Sequence, residues 1–399
     1  MNRTMKLVAS LTLTGATLGQ LMPADAAGPG HADESRDGVV YVVTNPSGPN
    51  AVEAFLRDGM TGRLTRKGRY LTGGQGDAAL AGAQSHAVVS DGEHLYVVNP
   101  GSDDISAFEI KHDGSLRLLG RTASQGRRPV SLTLHGRLLY VANEGNIPFV
   151  PPALPGSYSG FRIKPIGSLD PIANSTVPVP AGENPIEIMF NQDGTRVVAA
   201  RVASGVVDSF HVDGKGLLTR NAQLTGQAGP FGGAISPTQP DQFFLTLVSP
   251  LAPAVSSYLL PDLGAPSVLS TDNNPGLVDP CWAAASPDGK HVWASAFIPR
   301  SLTLYAVDGS GNLVAKSANV PADSGPGSLD IALDPSGRFL YRLRGLSVPT
   351  PGASPIVPQL DTYKVTGLDT DGGLSLVQTL TLPADLSTAS VTGVIALDL

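Results

Sequence analysis

Apolar residues fall in short runs along this chain, separated by turn residues, and no long 3.6-residue period appears anywhere. One run recurs with a tyrosine near its centre: Val40-Tyr41-Val42-Val43, Leu95-Tyr96-Val97-Val98-Asn99 and Leu139-Tyr140-Val141-Ala142-Asn143. Weaker copies follow at Val197–Arg201, Phe243–Thr246, Val292–Ser295 and Phe339–Arg342, which makes seven. A second type of run carries one aromatic residue, at Phe55, Phe108, Phe161, Phe210, Tyr258, Tyr305 and Tyr363. Those aromatics are 53, 53, 49, 48, 47 and 58 residues apart. Runs of this length, rich in β-branched and aromatic residues and bounded by Gly, Asp and Asn, predict strands. Pairs such as Asp91-Gly92, Asp113-Gly114, Asp193-Gly194 and Asp288-Gly289 predict tight hairpins. Glycine accepts positive φ there, and the aspartate bonds its own backbone.

Each unit holds four short strands: an inner one, the Tyr-Val strand, the aromatic strand and an outer one. Four antiparallel strands repeated about every 50 residues predict an all-β fold, a seven-bladed β-propeller over residues 38–399. Inner strands are expected to begin near Ser85, Pro129, Pro185, Phe231, Pro280 and Gly327. A seventh, Ser390 to Leu397, ends the chain with no strands after it, while Gly38 to Asn45 has no inner strand before it. Joining the two completes the first blade and closes the ring, which removes exposed sheet edges.

The Tyr-Val-x-Asn strand ends, the Asp-Gly-(Ser)-Leu turns and the seven-fold spacing resemble the seven-bladed lactonase-like propellers. That family includes 6-phosphogluconolactonase and carboxymuconate cyclase-type members. The resemblance implies a lactone hydrolase or lactonising cyclase working without metal or organic cofactor. Similar enzymes place a Pro-Arg-His triplet at the start of one inner strand and an Asn-Glu pair at the end of the next strand. This chain reads Pro185-Ile186-Glu187 and Ala200-Arg201 at those places. His86 stands where family members often carry histidine.

Composition narrows the partners. Gly (46) and Pro (34) together form about a fifth of the 399 residues, enough for many turns and too little for low-complexity disorder. The net charge of −7 argues against nucleic acid or an anionic membrane as the main partner. A single cysteine, Cys281, excludes an intramolecular disulfide and a cysteine-built zinc site. Seven histidines without ligand spacing argue against a histidine metal site, and no run of 18 apolar residues predicts a membrane span. Arg3 and Lys6, the apolar stretch Leu7 to Leu21 and Ala24-Asp25-Ala26 read as a signal peptide over residues 1–26, cleaved near Ala26. Residues 27–37 read as a flexible N-terminus, and the chain as secreted or periplasmic.

Inner strands of a propeller line its central channel, and their starts share a face with the ends of the Tyr-Val strands. The inner-strand starts offer His86, Val130, Glu187, Trp282 and Asp330. The Tyr-Val ends offer Thr44, Asn99, Asn143, Arg201, Leu247, Ala296 and Arg344. A histidine, carboxylates, arginines and asparagines in one funnel suit an anionic or carbonyl-bearing small molecule and general acid–base work. His86, Glu187 and Arg201 are the expected catalytic set; Asn99, Asn143, Trp282, Asp330 and Arg344 are the expected substrate contacts. Each has a structural alternative: Glu187 and Arg201 as an ion pair, the asparagines as turn residues, Trp282 as core, Arg342 and Arg344 as surface charges.

Two intervals between Tyr-Val and aromatic strands are long, 21 and 22 residues, and both are Pro-rich. They span residues 145–158 and 345–359. With Gly73 to Gln84, which reads as a long flexible loop leading into His86, they gather on one face, which marks it as the binding face for a ligand or a protein partner. Two functional readings follow: a lactonase- or cyclase-type enzyme, or an extracellular propeller that binds a ligand or protein without turnover.

Overall fold

The structure is a computed structural model that describes residues 36–78, 84–148, 150–273, 279–297, 300–320, 327–345, 357–367, 373–386 and 391–399. Seven antiparallel sheets, the blades, follow one another along the chain. Six have four strands; the third has a fifth because its outer strand is split into Leu169–Pro171 and Val177–Val179. The first blade takes its inner strand from the other end of the chain: Thr392–Asp398 pairs antiparallel with Gly38–Val43, Val39 opposite Leu397 and Tyr41 opposite Ile395. The seven-bladed propeller and its terminal clasp are therefore as the repeat pattern predicts. The segment 1–26 expected to be a signal peptide, nearly all of the stretch 27–37 expected to be flexible, and most of the stretch 345–359 lie outside the described residues.

Burial explains the strand pattern. Both faces of a blade pack on neighbouring blades, so the middle strands lie in the dark on both sides. Val39–Val43, Leu95–Val98 and Leu139–Ala142 are all fully buried, which is why they read as continuous apolar runs instead of alternating ones. The buried tyrosines still need partners for their hydroxyls. Tyr41 donates to the Gly114 carbonyl (3.0 Å) and Tyr140 to that of Gly216 (2.9 Å), so two blades are pinned to a hairpin turn of the next. Both turn glycines have positive φ, 74° and 77°.

One local expectation changes. Gly73-Gly74-Gln75 does not form a loop; it continues the outer strand Leu64–Gln75. Gly74 lies against Asn99, where a β-carbon would come within 2.4 Å of the Asn99 amide carbon. The glycines permit close approach of two blades.

Candidate functional site

A bulge near the start of the inner strand recurs around the ring. Pro129 pairs with Asn143, yet Ser131, two residues on, pairs with Ala142; the same skip separates Pro185 from Glu187, Pro280 from Trp282 and Ser328 from Asp330. The extra residue re-aims the side chain after it. Ser131, Glu187, Trp282 and Asp330 thus occupy equivalent positions on four strands, whereas His86 precedes the equivalent residue, Ala87, on the second blade.

Glu187 is fully buried and accepts from five neighbours. Ser85 Oγ lies 2.6 Å from Oε2, Ser131 Oγ 2.8 Å from Oε1, and His86 Nδ1 3.0 Å from both oxygens. The backbone N–H groups of Ile188 (2.9 Å) and Gly233 (3.1 Å) complete the set. Glycine next to Gly233 leaves the necessary room: a β-carbon on Gly232 would stand 2.4 Å from the Cys281 carbonyl oxygen and 2.8 Å from Ser85 Oγ. Burial alone would raise the Glu187 pKa, but the charge and hydrogen bond of His86, with the two serines, hold it below the ordinary value.

His86 adopts left-handed backbone (φ 52°), a conformation that a β-carbon disfavours by roughly 1 kcal/mol. Its side chain keeps 39% of its surface, although the ring encloses it deeply; what it meets is the central channel, not the outer surface. Enclosure works against protonation, yet the carboxylate of Glu187 and the more weakly felt Asp330 push its pKa up to about 9. Asp330 is buried and accepts the N–H groups of Val394 (2.9 Å) and Ile331 (2.8 Å). Burial pushes its pKa up to about 7, against the pull of the Val394 N–H and His86 and with the repulsion of Glu187. Three ionisable groups from three blades, two of them titrating at or above neutral pH, share one electrostatic neighbourhood at the head of the channel. That combination marks candidate catalytic sites.

The remaining sequence-predicted residues sit elsewhere. Arg201 does not meet Glu187: its guanidinium grips Asp208 (Nε to Oδ2 2.6 Å) and Glu183 inside the fourth blade. Arg344 and Arg342 share the buried Asp361 of the seventh blade at 3.0 and 2.9 Å, so they are not surface charges. Asn99 is buried between the first two blades, donating to Asp104 and Ser106 and accepting from Thr72 and Asn50. Asn143 donates to the Ser124 carbonyl and to Ser157. Trp282 lies in the core, edge-on to Phe231, its indole donating to the Gln84 carbonyl at 3.0 Å. The structure therefore gathers His86, Glu187 and Asp330. Ser131 is missed by the sequence reading because the bulge shifts register by one and brings Ser131, not Val130, to the site; Ser85 and the glycine pair carry no sequence signal that marks them.

From His86 a cavity of about 410 Å³ runs down the channel along the later halves of the inner strands, reaching Ser90, Leu134, Phe190 and Ala285. These residues precede the inner hairpin turns, so the cavity extends away from the face where the Tyr-Val strands end. The described part of the 145–158 loop is on that other face, where Asn146 receives the Asn184 amide and binds Val150 and Leu154.

Comparison with known proteins agrees with this architecture. Residues 8–147 match the family model described as lactonase, 7-bladed beta-propeller. The chain resembles the lactonase propellers. A protein from Lactobacillus plantarum is 21% identical, with a TM-score of 0.69 over 91% of this chain and 100% of that one. A putative 6-phosphogluconolactonase from Bacteroides fragilis is 17% identical, TM-score 0.67, covering 92% and 99%. The periplasmic gluconolactonase of Pseudomonas aeruginosa is 19% identical, TM-score 0.68, covering 90% and 99%. At these identities the likeness is one of fold. No curated protein matches the chain. Among the described residues no helix is long and apolar enough to cross a membrane, and no group of three His, Cys, Asp or Glu is placed to hold a metal.

Proposed function

We propose that this lactonase-like propeller hydrolyses a small lactone at the His86–Glu187–Asp330 cluster, after export directed by residues 1–26. The observation that carries the reading is the buried Glu187 bonded through both oxygens to His86 Nδ1, with Asp330 close enough to influence both. Near neutral pH Glu187 is an anion and His86 a cation. The bond to Glu187 fixes the imidazole, and no described residue bonds Nε2. That N–H is free to donate to the lactone carbonyl oxygen and to stabilise the oxyanion that forms there. Asp330, titrating near neutrality, takes the proton of the attacking water as its oxygen joins the carbonyl carbon. The ring C–O bond then breaks, and the departing alkoxide recovers the proton from Asp330, which leaves a hydroxy acid. Run backwards, the same steps close a lactone.

The test is a hydrolysis screen of lactones with the purified protein beside His86→Ala and Asp330→Asn. Turnover should rise as Asp330 ionises near pH 7 and fall as His86 loses its proton near pH 9, a bell belonging to the coupled cluster. Both variants should lose 100-fold or more, on the scale of general-base or oxyanion-donor loss. Equal turnover in either variant removes that residue from the mechanism. Binding without turnover is the second reading. It draws on Arg201 and Arg344, whose engagement with Asp208 and Asp361 withdraws two expected substrate cations from the funnel.

A further inference from the structure

The wall of the cavity beneath His86 is less polar than seven open strand edges would make it. An inner strand turns one edge to the channel, and its unpaired N–H groups would normally hold water there. Here many of those donors are tied to the neighbouring blade. Leu132 N–H donates to the His86 carbonyl (3.0 Å), Phe190 N–H to Thr133 Oγ1 (2.9 Å), Gly233 N–H to Glu187 and Val394 N–H to Asp330. Ser90, further down the wall, spends its hydroxyl on the His94 carbonyl at 2.7 Å. What remains facing the cavity is largely aliphatic, with the small side chains of Ala284 and Ala332 leaving space on one side. A volume of about 410 Å³ falls within the range of small-molecule pockets.

We propose that this channel holds the aliphatic tail of an alkyl-substituted lactone, with the ring carbonyl at His86 and the tail running toward the hairpin-turn face. The tail assignment stands on the channel; the reacting end rests on the lactone reading above. From the level of Glu187 to that of Phe190 is three residues of strand, about 10 Å. An extended alkyl chain advances roughly 1.2 Å per bond, by analogy with the backbone, so about eight carbons fill that depth.

The experiment is a homologous series of γ-lactones, from the unsubstituted ring to the dodecyl-substituted one, assayed with the full chain. We expect kcat/KM to rise about fourfold per added methylene and to level off near eight carbons. Ala284→Phe, and independently Ala332→Leu, narrows the cavity below His86 and should collapse the ratio of long-chain to short-chain kcat/KM toward one. Hydrolysis of short lactones with a flat series, or a ratio unchanged in both folded variants, overturns the inference and leaves the lactone reading standing. Should no lactone turn over, calorimetry with butyrate to decanoate separates the two claims. Affinity that grows with chain length and is lost in Ala284→Phe supports the tail channel while the lactone reading fails; no binding along the series overturns the channel as well.

Discussion

The propeller buries carboxylates in two ways, and the contrast separates its framework from its candidate site. In the blades, Asp208 lies under Arg201, and Asp361 lies under Arg342 and Arg344, with Gln223 and Thr379 filling remaining acceptor positions. In the ring, Glu187 and Asp330 have no arginine; their partners are an imidazole, two serines and backbone N–H groups. A guanidinium stays charged at every accessible pH. An imidazole does not, so the ring changes its charge within the range where hydrolysis by water is run. Buried arginine–carboxylate pairs add architecture that collapses when one partner is removed. The ring clusters instead hold protons that can move. Arg201, expected to be catalytic, and Arg344, expected to contact substrate, both sit in pairs of the first kind.

The harshest way to test the separation is to open the ring while leaving the blade networks whole. Deleting residues 389–399 removes the strand that pairs with Gly38–Val43 and the N–H that Val394 gives to Asp330. The expected product is insoluble or protease-sensitive, with no cooperative melt. A truncated chain that melts like the wild type shows that the blades stand without closure, and the clasp loses its role.

A smaller break falls inside one blade. Asp361→Ala leaves the buried guanidinium of Arg342 and that of Arg344 without their carboxylate, at a cost of about 3–5 kcal/mol. The loss is read by urea unfolding of the variant beside the wild type. A loss below about 1 kcal/mol would mean that the pair is held by the surrounding packing instead.

The repeat made the fold legible. Middle strands buried on both faces are apolar throughout, and several hairpin turns carry Asp-Gly, so the seven copies can be counted and the first blade's missing strand found at the far end. The site was half legible. His86, Glu187 and Asp330 stood out because each brings an ionisable group to an inner-strand start. Their meeting in one funnel is also expected from the strand starts; Ser131 in place of Val130 is not, since a bulge decides which of two consecutive residues faces the channel, and spacing alone does not announce a bulge. Arg201, Arg344, Asn99 and Asn143 lie apart from that group for a different reason. The end of a Tyr-Val strand lies between blades as well as near the funnel, and long polar side chains there find nearer partners in Asp208, Asp361, Asp104 and Ser157.

The ring should betray itself in the pH dependence of stability. Asp330 has a folded pKa above its unfolded value, so its contribution is fully present below about pH 4 and is lost as pH rises through about 7. His86 is likewise raised, and its contribution is present below about pH 6.5 and lost as pH rises through about 9. Both terms make the wild type less stable between pH 5 and pH 9. Asp330→Asn should remove the lower part of that slope, on the order of 4 kcal/mol at most by 1.36 kcal/mol per pKa unit. Urea midpoints at pH 5, 7 and 9 for the two proteins give the answer. Parallel slopes would place the titration elsewhere and return Asp330 to the framework.

The finest test asks whether Glu187 is held as an anion by His86 or by the whole cradle. Ser131→Ala removes the hydroxyl 2.8 Å from Oε1 and leaves His86, Ser85 and both backbone donors in place. A hydrogen bond to a charged group contributes about 1.5–3 kcal/mol, and with four donors remaining the loss should fall at the low end. Glu187 then stays ionised at neutral pH, so the imidazole of His86, followed by its ring-proton resonances, should still titrate above the ordinary 6.5. Glu187→Gln should do the opposite. With the anion gone, enclosure dominates and the His86 titration should drop below 6.5, even though an amide oxygen still reaches the ring. If the serine variant drops the titration as far as the glutamine variant does, the anion depends on the cradle as a unit. If the glutamine variant leaves it raised, Asp330 is the carboxylate that sets the charge of His86, and the ring has its acid and its anchor exchanged.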